Sequence, residues 1–264
     1  MTARLSIITP SYQQGAFLER TIRSVLDQGY PDLEYLIADG GSTDESVDII
    51  RRYEDRLAWW VSEPDDGQTD ALNKALQRAT GAIVAYVNSD DYYLPGAFDH
   101  AVAALSRSDA WWAVGASRFV DEADQVTEVW RPKLPPSTAR YWWSSGPWGV
   151  PQPSTFWRRE CFDRYGFFRR DMHYVFDTEH GLRLAFAGHL PEIIDAELAV
   201  RVVHPAAKSW DITPFRREAR AMEREYRRLL TPAERAAYAL KRPLAHAGVY
   251  RAVGRLVGAL RGAR

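Results

Sequence analysis

The sequence predicts an α/β fold, a mostly parallel central sheet flanked by helices with a C-terminal helical extension, and three observations predict it. Short apolar runs rich in β-branched and aromatic residues alternate with stretches whose apolar positions recur at helical spacing. Three of those runs stop at polar or acidic residues, and the carboxyl edge of an open α/β sheet is where ligands bind. The charge balance also changes sign along the chain. Residues 213–264 carry 13 Arg or Lys against 4 Glu, leaving 21 bases and 31 acids before them out of 34 and 35 in all.

The elements follow in order. Leu5 to Thr9 is a short strand stopped by Pro10, and Phe17, Ile22, Val25 and Leu26 mark a helix up to Gly29. Leu33 to Ala38 is a second strand ending at Asp39-Gly40-Gly41-Ser42-Thr43-Asp44. A helix through Val47, Ile49, Ile50 and Tyr53 leads to a third strand, Leu57 to Val61. Asp66-Gly67 is a turn signal before a helix faced by Ala71, Leu72, Ala75, Leu76 and Ala79, which ends at Gly81. The run from Ala82 to Val87 then reads as a buried strand that stops at Asn88-Ser89-Asp90-Asp91.

Length and composition limit the function classes. A chain of 264 residues can bury a sizeable core as one large domain, or as one domain with an extension. At 46% hydrophobic and 26% charged residues, wholesale disorder is disfavoured. The lone Cys161 leaves no internal disulfide and fits a reducing compartment. No apolar run reaches the length of a signal-peptide core near the N-terminus or of a membrane span, so a cytoplasmic chain is expected. Gly40-Gly41 lacks the dinucleotide fingerprint and no P-loop is present, which disfavours nicotinamide and ATP-driven chemistry. The acidic main body and the lack of a readable module in the basic tail disfavour nucleic acid as a partner.

The chemistry-bearing residues gather at strand ends. Asp90 and Asp91 are adjacent carboxylates that repel unless a cation, solvent or a shifted pKa relieves them, and a hard divalent metal holding a phosphate suits the place. The alternative is that they cap the following helix. Asp70, Asn73 and Lys74 stack on one helical face, where the plain reading is an i,i+4 ion pair and the functional one is a ligand contact.

These segments carry a resemblance. Thr9-Pro10-Ser11-Tyr12, Ala38-Asp39-Gly40-Gly41-Ser42-Thr43-Asp44, Asp70-Ala71-Leu72-Asn73-Lys74, and Asn88-Ser89-Asp90-Asp91 with Pro95-Gly96 resemble, in order, the motifs of family 2 glycosyltransferases of the GT-A fold. The likeness runs from Leu5 to about Ser209. It implies a GT-A domain over residues 1–212, with a nucleotide-sugar-binding half at 1–100 and an acceptor half at 101–212, and an inverting transferase that uses Mn2+ or Mg2+. The resemblance assigns the base to Tyr12 and Asp39, and places Thr9, Pro10, Asp70 and Lys74 in the donor site. Asn88-Ser89-Asp90 stands for the D-x-D element, so Asp90 becomes the main metal ligand with Asp91 as helper, and Asn88 or Ser89 is left to the ribose. Arg201-Val202-Val203-His204, with Lys208, resembles an element that closes over the diphosphate, and His204 is its candidate metal or phosphate ligand.

In the second half, Trp142, Trp143 and Trp148 surround Ser144-Ser145-Gly146-Pro147 and are candidates for stacking on a sugar acceptor, whereas Trp111-Trp112 read as core. Asp177 opens a helix, where it serves as a cap or, by the resemblance, as the general base, with Glu179 as rival. His180-Gly181 replaces bulkier residues of the family and is expected to open space near the acceptor. Beyond residue 213, Arg216 to Leu230 reads as a basic helix, and Thr231-Pro232-Ala233-Glu234 as the start of another. Residues 241–264 form an amphipathic, acid-free stretch suited either to an anionic membrane surface or to packing on a partner.

The expected activity is transfer of a sugar from a nucleotide-diphosphate sugar to a saccharide or lipid-linked acceptor at the cytoplasmic face of the membrane. A nucleotidyltransferase and a catalytically inactive nucleotide-sugar-binding protein are the alternatives.

Overall fold

Period-two alternation decides which face of the sheet each side chain joins. In the computed structural model, which describes residues 3–132, 150–236 and 239, β1 (Leu5–Ser11) sends Ile8 to one core and Leu5 and Ile7 to the other. β2 (Leu33–Asp39) divides Leu36 and Ala38 from Tyr35 and Ile37 in the same way, and β4 (Ile83–Tyr86) divides Val84 and Tyr86 from Ile83 and Ala85. Both faces are covered, which is why these strands read as continuous apolar runs.

With β3 (Trp59–Ser62), the first strands pair in parallel in the order β3-β2-β1-β4. The chain crosses from one side of β1 to the other between β2 and β4. That reversal opens a crevice at the carboxyl ends of β1 and β4, where Pro10 and Asn88 emerge. β3 starts two residues later than the sequence reading, because Glu54–Arg56 form a 3-10 turn before it.

The sheet does not end at β4. It continues through β8 (Thr155–Arg158), β6 (Trp112–Val120) and β9 (Glu192–Val202) to the short β5 (Tyr92–Tyr93), with β7 (Val126–Trp130) on β6. β8 is antiparallel to both its neighbours, and β6 and β9 are parallel to each other. Nine strands of the described residues thus form one sheet.

Helices α1 (Gly15–Leu26), α2 (Ser46–Arg52), α3 (Gln68–Leu76), α4 (Ala97–Arg107), α5 (Glu160–Tyr165), α6 (Phe176–Phe186) and α7 (Ile212–Arg227) cover the faces. The basic helix expected from Arg216 starts four residues earlier, where Asp211 accepts the Thr213 N–H as its cap. Its inner stripe, Phe215, Ala219, Met222 and Tyr226, enters the same core as Trp112, Trp157 and Phe168. The change of charge at residue 213 therefore does not separate α7 from the packing of the main domain. Thr231 and Glu234 make the reciprocal bonds of a capping box, as the sequence signals.

His180 departs from expectation. It is fully buried, stacked on Phe162 with ring centroids 4.7 Å apart, and packed by Phe168 and Trp157. Neither it nor Gly181 lines the cleft described below, so the pair does not open space there. Among the described residues neither ring nitrogen has a hydrogen-bond partner, and burial drives the imidazole pKa well below its ordinary value. A histidine held neutral in the folded state contributes stability that is complete above the unfolded pKa of about 6.5 and is lost as pH falls below it, by at most about 1.4 kcal/mol per pH unit. His180→Phe is expected to keep the aromatic stack and flatten that acid slope. Urea melts at pH 7 and pH 5 measure it, and an unchanged slope would remove His180 as its cause.

Candidate active site

The crevice is a cleft of about 1100 Å³, large for a single small ligand. One part lies at the strand ends, where Pro10, Tyr12, Gly40, Gly41, Pro64, Asp65, Gln68 and Asn88 line it. Tyr12 is 62% exposed and offers a free aromatic face. Thr9, by contrast, points into the core, its hydroxyl 2.9 Å from that of Tyr35, so it is not a donor contact.

Asp39 shapes this region from beneath. Its Oδ2 accepts the N–H groups of Gly41 and Ser42 and the Ser62 hydroxyl at 3.1, 2.8 and 2.7 Å, and its Oδ1 accepts the Ser42 hydroxyl at 2.6 Å. Gly41 has φ +79°, a left-handed conformation that suits glycine in this tight turn. The backbone of Gly40 and Gly41 faces the cleft, while the carboxylate holds the loop.

Asp70 and Lys74 are also corrected. Lys74 lies 3.0 Å from Glu63 and 3.4 Å from Asp70, and Asp70 lies 3.1 Å from Arg170. This ion-pair network runs beside the cleft, and α3 presents Gln68 and Ala71 to the cleft instead. Gln68 is a residue that sequence reasoning missed: its amide donates to Asn88 Oδ1 at 2.6 Å and it accepts from Lys208 at 3.1 Å. Gln152 is another, bonded to Asn88 and to the carbonyl of Tyr86. Both contacts join segments far apart in the chain, so no local spacing announces them.

The two adjacent carboxylates have different fates. Asp90 faces the cleft, with His204 Nε2 3.2 Å from its Oδ2. His204 is 1% exposed and held against the Phe17 ring at 4.3 Å. Asp91 turns inward, where Oδ1 accepts the Val202 N–H at 3.1 Å and Oδ2 accepts from Asn88 at 3.2 Å. Burial, and then the neighbouring Asp90 charge, push its carboxyl up from the ordinary range. The Thr21 hydroxyl lies 2.9 and 2.6 Å from the carbonyl oxygens of Ser89 and Asp91 and ties this turn to α1. Among the described residues no three His, Cys, Asp or Glu side chains converge on one point, so the expected set of Asp90, Asp91 and His204 is not assembled. The physical reason is that both Asp91 oxygens already accept hydrogen bonds, from the Val202 N–H and from Asn88, whereas Asp90 pairs with His204. Asp90 and His204 still fit a hard cation that takes its remaining ligands from phosphate and water.

Asp177 lines the same cleft, one residue into α6, with Tyr86, Phe176, Arg201 and Lys208 among the other lining residues. Burial raises its carboxyl pKa above the ordinary range, opposed by the Thr178 N–H that it accepts at 2.6 Å and by the Arg201 charge. It is not the helix cap; Val175 occupies that position. Glu179 is removed as its rival. Its carboxylate is bound by Arg183 and by the Tyr226 hydroxyl, both at 2.5 Å, and it does not line the cleft. Trp130 and Trp210 supply aromatic faces to the cleft. Trp111 and Trp112 pack as expected, and Trp142, Trp143 and Trp148 lie outside the described residues.

Comparison with known proteins bears on the family and the fold. The family profile described as Glycosyl transferase family 2 matches residues 6–178. The chain is 44% identical over 90 residues to the putative teichuronic acid biosynthesis glycosyltransferase TuaG of Bacillus subtilis, a match covering 33% of this chain and 36% of that protein. It is 32% identical over 186 residues to the uncharacterized glycosyltransferase Rv1514c of Mycobacterium tuberculosis, covering 69% of this chain and 68% of that one. The mannosyltransferase PcManGT of Pyrobaculum calidifontis, solved with GDP-Man and Mn2+, shares the GT-A fold. Its TM-score is 0.65 at 21% identity, over 100% of this chain and 79% of that one.

Proposed function

The chain belongs to glycosyl transferase family 2, and from that membership and its cleft we propose that it is an inverting glycosyltransferase that moves a sugar from a nucleotide-diphosphate sugar to a saccharide or lipid-linked saccharide in cell-surface polysaccharide or glycoconjugate synthesis. The observation that carries the reading is that one cleft is lined both by the Asp90–His204 pair and by Asp177 with its raised pKa. The relative named for teichuronic acid biosynthesis supports the polysaccharide context.

In this reading the nucleotide lies over Gly40 and Gly41 with its base against Tyr12, and Asn88 or Ser89 meets the ribose. Asp39 acts by fixing the loop beneath the base. Asp90 and His204 would hold a divalent cation, Mn2+ or Mg2+, which when bound supplies charge neutralisation for the departing diphosphate. Arg201 and Lys208 add positive charge to the same cleft. Asp177 takes the proton of the acceptor hydroxyl as that oxygen bonds to the anomeric carbon, and the bond from that carbon to the diphosphate oxygen breaks on the opposite face. The proton ends on Asp177, and the configuration inverts.

A thermal-shift screen of nucleotide sugars with and without Mn2+ tests the donor class. A donor at a hundred times its Kd is expected to stabilise the protein by about 2.7 kcal/mol, and more strongly with metal than without. A protein that binds a donor and never consumes it in the presence of saccharide acceptors would be a binding protein instead.

The basic extension fits a negatively charged surface. α7 turns Arg217, Arg220 and Arg224 outward at spacings of three and four residues, opposite its buried stripe. No described helix is long and apolar enough to cross a membrane. Residues 241–264 lie outside the described residues, and their acid-free amphipathic sequence continues the positive charge. This charge supports a reading of peripheral attachment to an anionic membrane, at its cytoplasmic face. Deleting 241–264 is expected to abolish co-sedimentation with anionic vesicles at low salt while transfer to a soluble acceptor continues. Full-length protein that ignores such vesicles would dismiss the attachment.

A further inference from the structure

Three consecutive backbone N–H groups precede the catalytic helix, and all three are taken by one carboxylate from a distant part of the chain. Glu218, on α7, accepts the His173 N–H on Oε1 at 2.7 Å and the N–H groups of Tyr174 and Val175 on Oε2 at 2.5 and 2.8 Å. Val175 is the cap position of α6 and its own side chain makes no capping bond, and Glu218 gathers from outside the amide of the cap residue and the two amides before it. A carboxylate at a helix N-terminus also has the favourable sign toward the helix dipole. His173 and Tyr174 line the cleft on one side of this clamp, and Asp177 follows two residues after it. A second bond from α7, Tyr226 to Glu179, holds α6 one turn further on.

We propose that Glu218 is a positioning residue for Asp177: by gathering the amides of 173–175 it fixes the first turn of α6 in the orientation that aims the base into the cleft, which makes α7 part of the catalytic apparatus. The inference rests on the reading of Asp177 as the acceptor-side base. A simple cap would contribute only stability. A positioning carboxylate contributes to the chemical step, where a misplacement of about 1 Å can cost about 10²-fold.

The experiment uses the full-length protein with a donor found by the thermal-shift screen, and compares Glu218→Ala, Glu218→Gln, Asp177→Asn and the control Glu225→Gln. Glu225 lies on the same helix, pairs with Arg169 and does not line the cleft. The expected result is a fall in kcat of about 10- to 100-fold for both Glu218 variants, with donor affinity within twofold of wild type and the control unaffected. Acetate or formate added to Glu218→Ala is expected to restore part of kcat, because a small carboxylate can occupy the vacated amide cluster, whereas chloride at equal ionic strength restores none. If Glu218→Ala does not fold, Glu218→Gln carries the comparison. Its amide nitrogen meets N–H groups that need an acceptor. Wild-type kcat in folded Glu218→Gln overturns the proposal. So does a loss of activity that tracks the melting temperature, lowers donor affinity equally and ignores acetate. If Asp177→Asn is inactive while the Glu218 variants are normal, the base assignment stands and the positioning role falls. An active Asp177→Asn overturns the base assignment and this inference with it.

Discussion

Asp177→Asn is expected to slow the chemical step by about 10²–10⁴-fold while donor affinity stays nearly unchanged, the pattern of a lost general base. The shape of the side chain is kept and Asn can still accept the Thr178 N–H, so the effect isolates proton acceptance. A pH profile adds an independent check. Burial raises the Asp177 pKa, and the base works only when ionised, so the wild-type rate should fall as pH drops through a value above the usual carboxylate range. The linkage runs the other way for stability. A carboxyl whose folded pKa is raised contributes stability below its unfolded pKa that is lost as pH rises through the folded one. Asn is neutral throughout, so the inactive variant is expected to melt no lower than wild type at neutral pH, and higher if no cation offsets the cost. A variant that transfers sugar at the wild-type rate would mean another group takes the proton.

Asp90→Asn should abolish the metal-dependent part of donor binding without unfolding the chain. Both carboxylates at the end of β4 border the cleft, but Asp90 is the more exposed and is paired there with His204, whereas its neighbour Asp91 is buried and already accepts from Val202 and Asn88. The extra thermal shift that Mn2+ adds to a donor is therefore expected to vanish in Asp90→Asn. Asp91→Asn should give a different result, with the metal response retained. Wild-type turnover that is unchanged in excess chelator would end the case for a required cation.

Strands β1 to β4 and helices α1 to α3 were legible because each is written in one local pattern, apolar runs or a helical stripe, whereas the two-residue β5 was too short to carry one. The placing of Pro10, Asn88 and Asp90 at the cleft was legible too, since a residue just past a parallel strand has few other places to go. Between the two neighbouring acids the resemblance favoured Asp90, but the partners of each were not legible. Asp90 and Asp91 are distinguished only by what meets them from the far side of the sheet, His204 for one and the Val202 amide for the other. Glu179 looked like a base because Tyr226, 47 residues away, could not be placed beside it from spacing, although Arg183 stands at i+4 on the same helix. Gln68, Gln152 and Glu218 were missed for the same reason, each acting across 20 or more residues. Asp70 and Lys74 went the opposite way, because the plain ion-pair reading of their spacing was the one realised.

The continuity of the sheet through β4, β8, β6 and β9 bears on how the enzyme is made. During synthesis the nucleotide-binding strands leave the ribosome first, yet the side of β4 away from β1 has no partner until residues 155–158 arrive. The Asp90–His204 contact joins residues 114 positions apart, and the Glu218 clamp forms later still. A nascent or truncated chain that stops after the first hundred residues therefore presents an open strand edge prone to pairing with other chains, with no finished cation site to stabilise it. Donor and metal can rescue only molecules whose synthesis has passed residue 204. Fragments cut at the boundary between the two halves should thus be poor reagents, and ligand-assisted refolding should begin to work only with chains that include β9 and the turn that follows it.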